Sequence, residues 1–149
     1  MRARLTVGTV VVAGIALLFS QAPVWAHHAF AAEFDGSKPI KFLDAVVTKV
    51  SLINPHSWIY VDVKQPDGKV ENWAIEAGSP NILLRRGITK DTLKVGTKIV
   101  VDGYQSKDGS HRANGRDLTL SNGQHLFLGS SGEGAPYEVQ RPGVDTEKK

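Results

Sequence analysis

The sequence predicts an all-β domain with one short helix, built as an OB-like antiparallel barrel of five or six strands with Greek-key connections. Short segments rich in Val, Ile and Thr alternate with turn dipeptides such as Asp67-Gly68, Asp108-Gly109 and Asn122-Gly123. A single capped helix falls after the third predicted strand, where an OB barrel carries its helix. A β-sandwich of six short strands is the alternative, and the position of this helix favours the barrel.

The first three strands are predicted to form an antiparallel meander. The first covers residues 42–53, and its evenly spaced apolar residues are expected on one face: Phe42, Val46, Val50 and Leu52. The second covers residues 58–64, with Ile59, Val61 and Val63 on one side and Trp58, Tyr60 and Asp62 on the other. The third covers residues 70–77, after the turn at Pro66-Asp67-Gly68.

The second half of the domain begins with the helix, predicted over residues 80–86. Ser79 is a suitable N-cap, Pro80 is favoured at the first helical position, and Gly87 is a typical C-terminal stop. Further strands are predicted over residues 97–104, 115–120 and 124–128. Residues 130–149 lack periodicity and are predicted to form a flexible tail.

The amino-terminal 26 residues have the pattern of a secretory signal peptide. Arg2 and Arg4 form a basic start, residues 5–20 are almost wholly apolar, and Val24 and Ala26 supply the small residues of a cleavage site. The apolar run of about 16 residues is shorter than the roughly 20 needed to span a bilayer. We therefore expect cleavage between Ala26 and His27, a periplasmic or secreted product, and no stable membrane insertion after cleavage.

The mature chain is then expected to hold an extended segment over residues 27–40, the barrel over 41–129 and the tail. Loss of Arg2 and Arg4 lowers the formal net charge from +3 to +1, and the remaining sequence has no basic run that would indicate nucleic-acid binding. The chain contains no cysteine, so its stability depends on an ordinary hydrophobic core.

Cleavage at this position would make His27 the first residue, which suggests a metal site. Its α-amine and ring Nδ1 can chelate one ion, and a second imidazole would give three nitrogen donors, a set that suits Cu(II). The α-amine has a pKa of about 7.7 to 8.0, so it deprotonates readily for a metal near neutral pH. His56, in the Asn54-Pro55-His56 turn, is the preferred second imidazole, and His28 is the competing donor.

A second group of residues suggests binding of an organic ligand or a protein. Ligands of OB folds bind at the loop between the first two strands and the loop between the fourth and fifth, which here contain His56 and His111. Trp58 and Tyr60 share a strand face, and the third strand is expected to bring Trp73 near them. The ligand-binding candidates are Asn54, Trp58, Tyr60, Trp73 and His111.

Catalysis is not predicted, because the sequence has no recognisable nucleophile motif, phosphate loop or zinc spacing. The remaining candidates for a paired acid and base site are Glu76, Asp117, Arg85 and Arg86. We expect these side chains to be solvated. His125 is expected to be an ordinary surface residue.

Several motifs together resemble domain-of-unknown-function family 6152, a family of uncharacterised exported bacterial proteins. The resemblance covers nearly all of the mature chain and is carried by His27-His28-Ala29-Phe30-Ala31-Ala32-Glu33-Phe34-Asp35, Asn54-Pro55-His56-Ser57-Trp58-Ile59, Asn72-Trp73, Gly78-Ser79-Pro80-Asn81, Arg85-Arg86-Gly87 and Arg112-Ala113-Asn114-Gly115-Arg116-Asp117. It implies a small, exported, β-rich protein without an established activity. It also implies that the paired terminal histidines and the Asn-Pro-His turn belong to the family pattern, whereas His111 and His125 do not.

Two functional hypotheses follow from the sequence. The first is a periplasmic copper-binding or copper-delivery protein with His27 and His56 as ligands. The alternative is a metal-free OB-type module that binds a small ligand or a periplasmic protein partner through the loop at residues 54–58 and the adjacent aromatic residues.

Overall fold

The computed structural model describes residues 30–129, which form six strands and two short helices. In chain order the elements are α1 (Phe30–Glu33), β1 (Phe34–Ser51), β2 (Ser57–Lys64), β3 (Val70–Ala77), α2 (Pro80–Arg85), β4 (Lys98–Ser106), β5 (Arg112–Leu120) and β6 (His125–Phe127). The predicted signal peptide, His27, His28 and the predicted tail lie outside these residues.

Five of the strands close a ring of hydrogen bonds. The sheet order is β3-β2-β1-β4-β5-β6, and an additional pairing joins β3 to β5. That closing pair is parallel, over Ala74–Arg112 to Glu76–Asn114, whereas the other pairs are antiparallel. The predicted fold class is thereby confirmed: the structure is a barrel-like, mostly antiparallel sheet with α2 between β3 and β4.

The core fills the inside of this ring. Strand β2 alternates as predicted, with Ile59, Val61 and Val63 buried and the residues between them partly exposed. Leu83 of α2 and Ile88 after it are fully buried members of the same core cluster. Burial of a Leu or Ile side chain contributes about 1.5 to 3 kcal/mol, so this cluster is the main source of stability in a domain of this size.

Strand β1 differs most from its prediction. It begins at Phe34, eight residues earlier than expected, so residues 34–40 are part of the sheet and residues 30–33 form a helical turn. Its register shifts between Phe42 and Ala45 and again between Val47 and Lys49, which moves Ala45 and Val47 into the core. Val46 therefore lies on the opposite face from the one predicted, while Phe42, Val50 and Leu52 pack partly buried against the core.

The other elements match their predictions closely. Strand β3 has the predicted bounds, and α2 ends one residue earlier than predicted, before Gly87 with its positive φ of 79°. Strand β5 begins three residues earlier than expected, which brings Asn114 into the sheet beside β3. Neither helix in residues 30–129 has the length or the apolar run that a membrane crossing requires.

Candidate functional site

A histidine and a buried glutamate meet at the start of β2. His56 Nδ1 lies 2.9 Å from Glu76 Oε1, and the two side chains are 18% and 7% exposed. A nearly buried carboxylate needs a hydrogen-bonding partner, and the imidazole supplies one. Because Nδ1 faces the carboxylate, Nε2 is the nitrogen through which His56 would ligate a metal. A carboxylate that accepts from the other ring nitrogen is the usual support of a metal-binding histidine.

Glu76 belongs to a row of residues that crosses four neighbouring strands. Trp58 of β2 pairs with Glu76 of β3, Glu76 pairs with Asn114 of β5, and Asn114 pairs with Tyr104 of β4. Directly paired residues share a face of the sheet. Trp58 alternates with the core residue Ile59, so this row lies on the outer face of the ring, and Glu76 and Asn114 are nevertheless buried there.

Helix α1 packs against the same outer face. The Phe30 ring lies edge-on to Tyr104 at 5.5 Å between centroids and 5.8 Å from Phe34, with Phe127 packed against this cluster. Glu33 Oε2 accepts a 2.9 Å hydrogen bond from Arg112 Nη2. We call Phe30–Glu33 the strap, because it is anchored at both ends.

The strap is held largely by the hairpin of β4 and β5. The backbone N–H of Lys107 donates to the carbonyl of Glu33 at 2.9 Å, and its ammonium donates to the carbonyl of Ala31. Ser110 donates to the Asp108 carboxylate in the same turn and lowers the pKa of Asp108 to about 2. The turn is thus organised by its own side chains.

The predicted aromatic group is divided between two faces. Trp58 and Tyr60 share the outer face of β2, and a cation lies over each ring, Arg112 at 5.4 Å and Lys49 at 5.1 Å. Trp73 does not join them, because the register places it opposite Val61, which points into the core. The expected three-residue patch is therefore a pair.

Trp73 instead forms a separate cluster with His111. Their rings stack at 4.9 Å with an interplanar angle of 18°, and Phe42 lies 4.8 Å from Trp73. Trp73 Nε1 donates to Glu71 at 3.1 Å, and His111 Nε2 lies 3.6 Å from the same carboxylate oxygen. Since 6% of Trp73 is exposed, packing accounts for the position of Trp73.

The remaining candidates are dispersed. Asn54 is exposed in the loop before His56, and His125, which is 61% exposed, lies 4.0 Å from Asp117. Within residues 30–129, no group of three or more His, Cys, Asp or Glu side chains is arranged to hold a metal ion.

Sequence reasoning missed Glu76, Arg112 and Glu33 as parts of the site. Glu76 and Asp117 were expected to be solvated, and both are buried. The available signal was Glu76 itself, a charged residue in a strand whose neighbours Ile75 and Ala77 are apolar. Arg112 and Glu33 are 79 residues apart, and no local pattern connects them.

The fold and this surface define a small OB-like β protein with an outer-face histidine–carboxylate pair beside an anchored N-terminal strap. The chain belongs to a family of unknown function, DUF6152, whose profile matches residues 16–115. The match spans the strap, His56, Glu76, Arg112 and Asn114, and it ends before His125. Comparisons with curated proteins and with solved structures gave no match.

Proposed function

We propose that the protein is an exported copper-binding protein in which the processed N-terminal histidine, His27, and the loop histidine, His56, hold Cu(II). The observation that carries this proposal is the 2.9 Å contact between His56 Nδ1 and Glu76 Oε1. It fixes the ring orientation and directs metal binding to Nε2.

The position of the strap supports a role for His27 as the partner ligand. Phe30 contacts Tyr104, and Tyr104 is two strands from Glu76, a separation of roughly 10 Å at the usual strand spacing. His27 and Phe30 are three Cα-to-Cα steps apart, a length of at most about 10 Å when the chain is extended. We therefore propose that the processed chain runs from Phe30 towards Glu76 and brings its N-terminal amine to the His56 surface.

The donor set also suits copper in particular. An α-amine and two imidazoles are nitrogen donors. Among the divalent ions of the first transition row, Cu(II) binds such donors most tightly. The buried Glu76 carboxylate adds negative charge close to the ion. Binding releases the proton of the amine, so copper affinity should rise with pH up to about 8.

The test compares mature protein that starts at His27 with the same protein carrying one alanine ahead of it. Cu(II) titration by calorimetry measures affinity, and electron paramagnetic resonance reports the nitrogen ligands. We expect the native form to bind one Cu(II) through nitrogen and the extended form to bind far more weakly. His56→Ala should also lose affinity, whereas His125→Ala is the matched control and should not.

Two results would overturn the proposal. The first is that the added alanine leaves the spectrum and the affinity unchanged. The extension converts the α-amine of His27 into an amide, so a site that uses this amine must respond to it. The second is a native N-terminus other than His27, read by mass spectrometry on protein recovered from the periplasm or medium of the producing cells.

The metal-free binding module is the second candidate, and the outer-face pair Trp58 and Tyr60 favours it. Both rings are only partly buried and face away from the core, and aromatic rings on this face of an OB fold are suited to stack a planar ligand or a partner side chain. This candidate gains if neither the native nor the extended form binds copper more tightly than scattered surface histidines do.

A further inference from the structure

We infer that Arg112 and Trp58 form a binding site for a small ligand that carries a carboxylate on a planar ring, and that Glu33 of the strap is an internal competitor for this site. The site is separate from the copper site, since it needs neither His27 nor His56. It rests on the metal-free module given above as the second candidate, to which it assigns a ligand chemistry.

The site consists of a cation beside an aromatic ring on the outer face of the sheet. The Arg112 guanidinium lies 5.4 Å from the centre of the Trp58 ring, and its Nη2 donates to Glu33 Oε2 at 2.9 Å. A guanidinium packs on an aromatic ring with its plane and binds carboxylates at its edge. The Glu33 carboxylate therefore occupies the position that we assign to the carboxylate of the ligand.

Glu33 is held weakly at this position. The Arg112 and Glu33 side chains are 39% and 30% exposed, and water and salt screen an ion pair that is exposed to this extent. The strap has other anchors, because Phe30 is buried and Lys107 hydrogen-bonds the carbonyls of Ala31 and Glu33. The Glu33 carboxylate can therefore be displaced by another carboxylate while the strap stays docked.

The surroundings offer space and further positive charge to the ring of the ligand. Tyr60 of β2 pairs with Ala74 of β3, and Ala74 pairs with Arg112 of β5. The backbones of β2 and β5 are thus about 10 Å apart at this row, and only a methyl group lies between the two large side chains. The exposed Lys49 places its Nζ 5.1 Å from the centre of the Tyr60 ring. We expect the ligand ring to pack in this shallow depression, against Trp58 and Tyr60.

The carboxylates of β2 and β3 on this face are compatible with an anionic ligand near Trp58. Glu76 faces His56 Nδ1 at 2.9 Å and is nearly buried. Asp62 accepts a 2.8 Å hydrogen bond from Asn72 and lies four residues from Trp58, about 13 Å along the strand. At that distance salt largely screens its charge.

Benzoate is the probe, and benzamide, which has the same ring without the charge, is its control. NMR titration of the protein follows the indole N–H of Trp58 and the side-chain carboxyl carbon of Glu33. For a ligand of this size we expect a dissociation constant in the millimolar range. Benzoate should shift both resonances, and the shift at Glu33 reports its displacement from Arg112. Benzamide should bind more weakly, because it has no carboxylate for the guanidinium.

Three variants test the roles of the site residues. Glu33→Gln, followed at Trp58, should tighten benzoate binding about two- to fivefold because it removes the competitor. Arg112→Gln should weaken binding about tenfold or more, since it removes the charged donor. Trp58→Leu, followed at Glu33, should weaken it about three- to tenfold.

Lys41→Gln is the matched control. It removes the ion pair between Lys41 and Asp102, which has the same 2.9 Å separation as the Arg112–Glu33 pair and joins β1 to β4. Benzoate affinity should stay unchanged in this variant. A change as large as that in Arg112→Gln would mean that benzoate responds to the overall charge of the protein, and the assignment to Arg112 would be wrong.

The outcomes separate this inference from the metal-free module on which it rests. If Glu33→Gln leaves benzoate affinity unchanged or weakens it, Glu33 is not a competitor and the inference is overturned. It is also overturned if benzamide binds as tightly as benzoate, although stacking on Trp58 would then still support the module. If neither compound shifts the Trp58 resonance, both the inference and ligand stacking at this face are excluded.

Discussion

Substitution of Gly103 by alanine tests whether the close approach of β4 and β5 stabilises the ring. A Cβ at this position would overlap the backbone carbonyl oxygen of Asn114 and lie 3.2 Å from its carbonyl carbon and 3.3 Å from Gly115 Cα. All three atoms belong to the backbone, so no side-chain rotation relieves the overlap and the strands must separate. Overpacking of this kind typically costs 1 to 3 kcal/mol, and we expect about 3 kcal/mol here.

For about 100 folded residues, a loss of 3 kcal/mol lowers the melting temperature by roughly 10 to 20 °C. Thermal unfolding followed by circular dichroism measures this shift. Gly123→Ala is the control, because a Cβ there has open space and only the positive φ of 84° opposes it, at a cost of about 1 kcal/mol. If Gly103→Ala melts at the temperature of Gly123→Ala, close packing at Gly103 does not contribute to stability.

Three further predictions concern individual contacts. Trp73→Ala should cost about 3 to 5 kcal/mol in urea unfolding, because it empties a buried site in the core; a cost below 1 kcal/mol would contradict core packing of this ring. The Ser110 hydroxyl and N–H lower the pKa of Asp108 to about 2. Because this folded-state pKa is lower than that of the unfolded chain, the contribution to stability is present above about pH 4 and is lost as the pH falls towards 2. If NMR titration of the Asp108 carboxyl gives a midpoint near pH 4, the lowered pKa is contradicted. Glu76→Gln keeps the shape of the side chain but removes the charge facing His56, and it should weaken copper binding about 10- to 100-fold in calorimetry; unchanged affinity would exclude a supporting role for this carboxylate.

The sequence was sufficient to predict the fold class because local signals agreed with the global topology. Alternation in β2, the turn at Asp67-Gly68 and the Pro80 start of α2 each depend on neighbouring residues, and each matches the structure. The parallel pairing of β3 with β5 was not predicted, because it joins residues almost forty positions apart.

The features that the sequence predicted wrongly depend on contacts between residues far apart in the chain. The three register shifts in β1 arise where one long strand pairs with β2 on one side and β4 on the other, which period-2 counting does not detect. Trp73 was expected beside Trp58 because the two strands are neighbours, but the register puts it opposite Val61. Burial of Glu76 likewise depends on tertiary structure that brings His56 to it.

The row of outer-face residues that includes Glu76 can form only after β3 and β5 have paired and closed the ring. Asn114 joins Glu76 to Tyr104 only after residues almost forty positions apart have met, and such distant pairings form slowly. The outer surface around the buried Glu76 is thus a late product of folding, complete only when the last pair of strands has met.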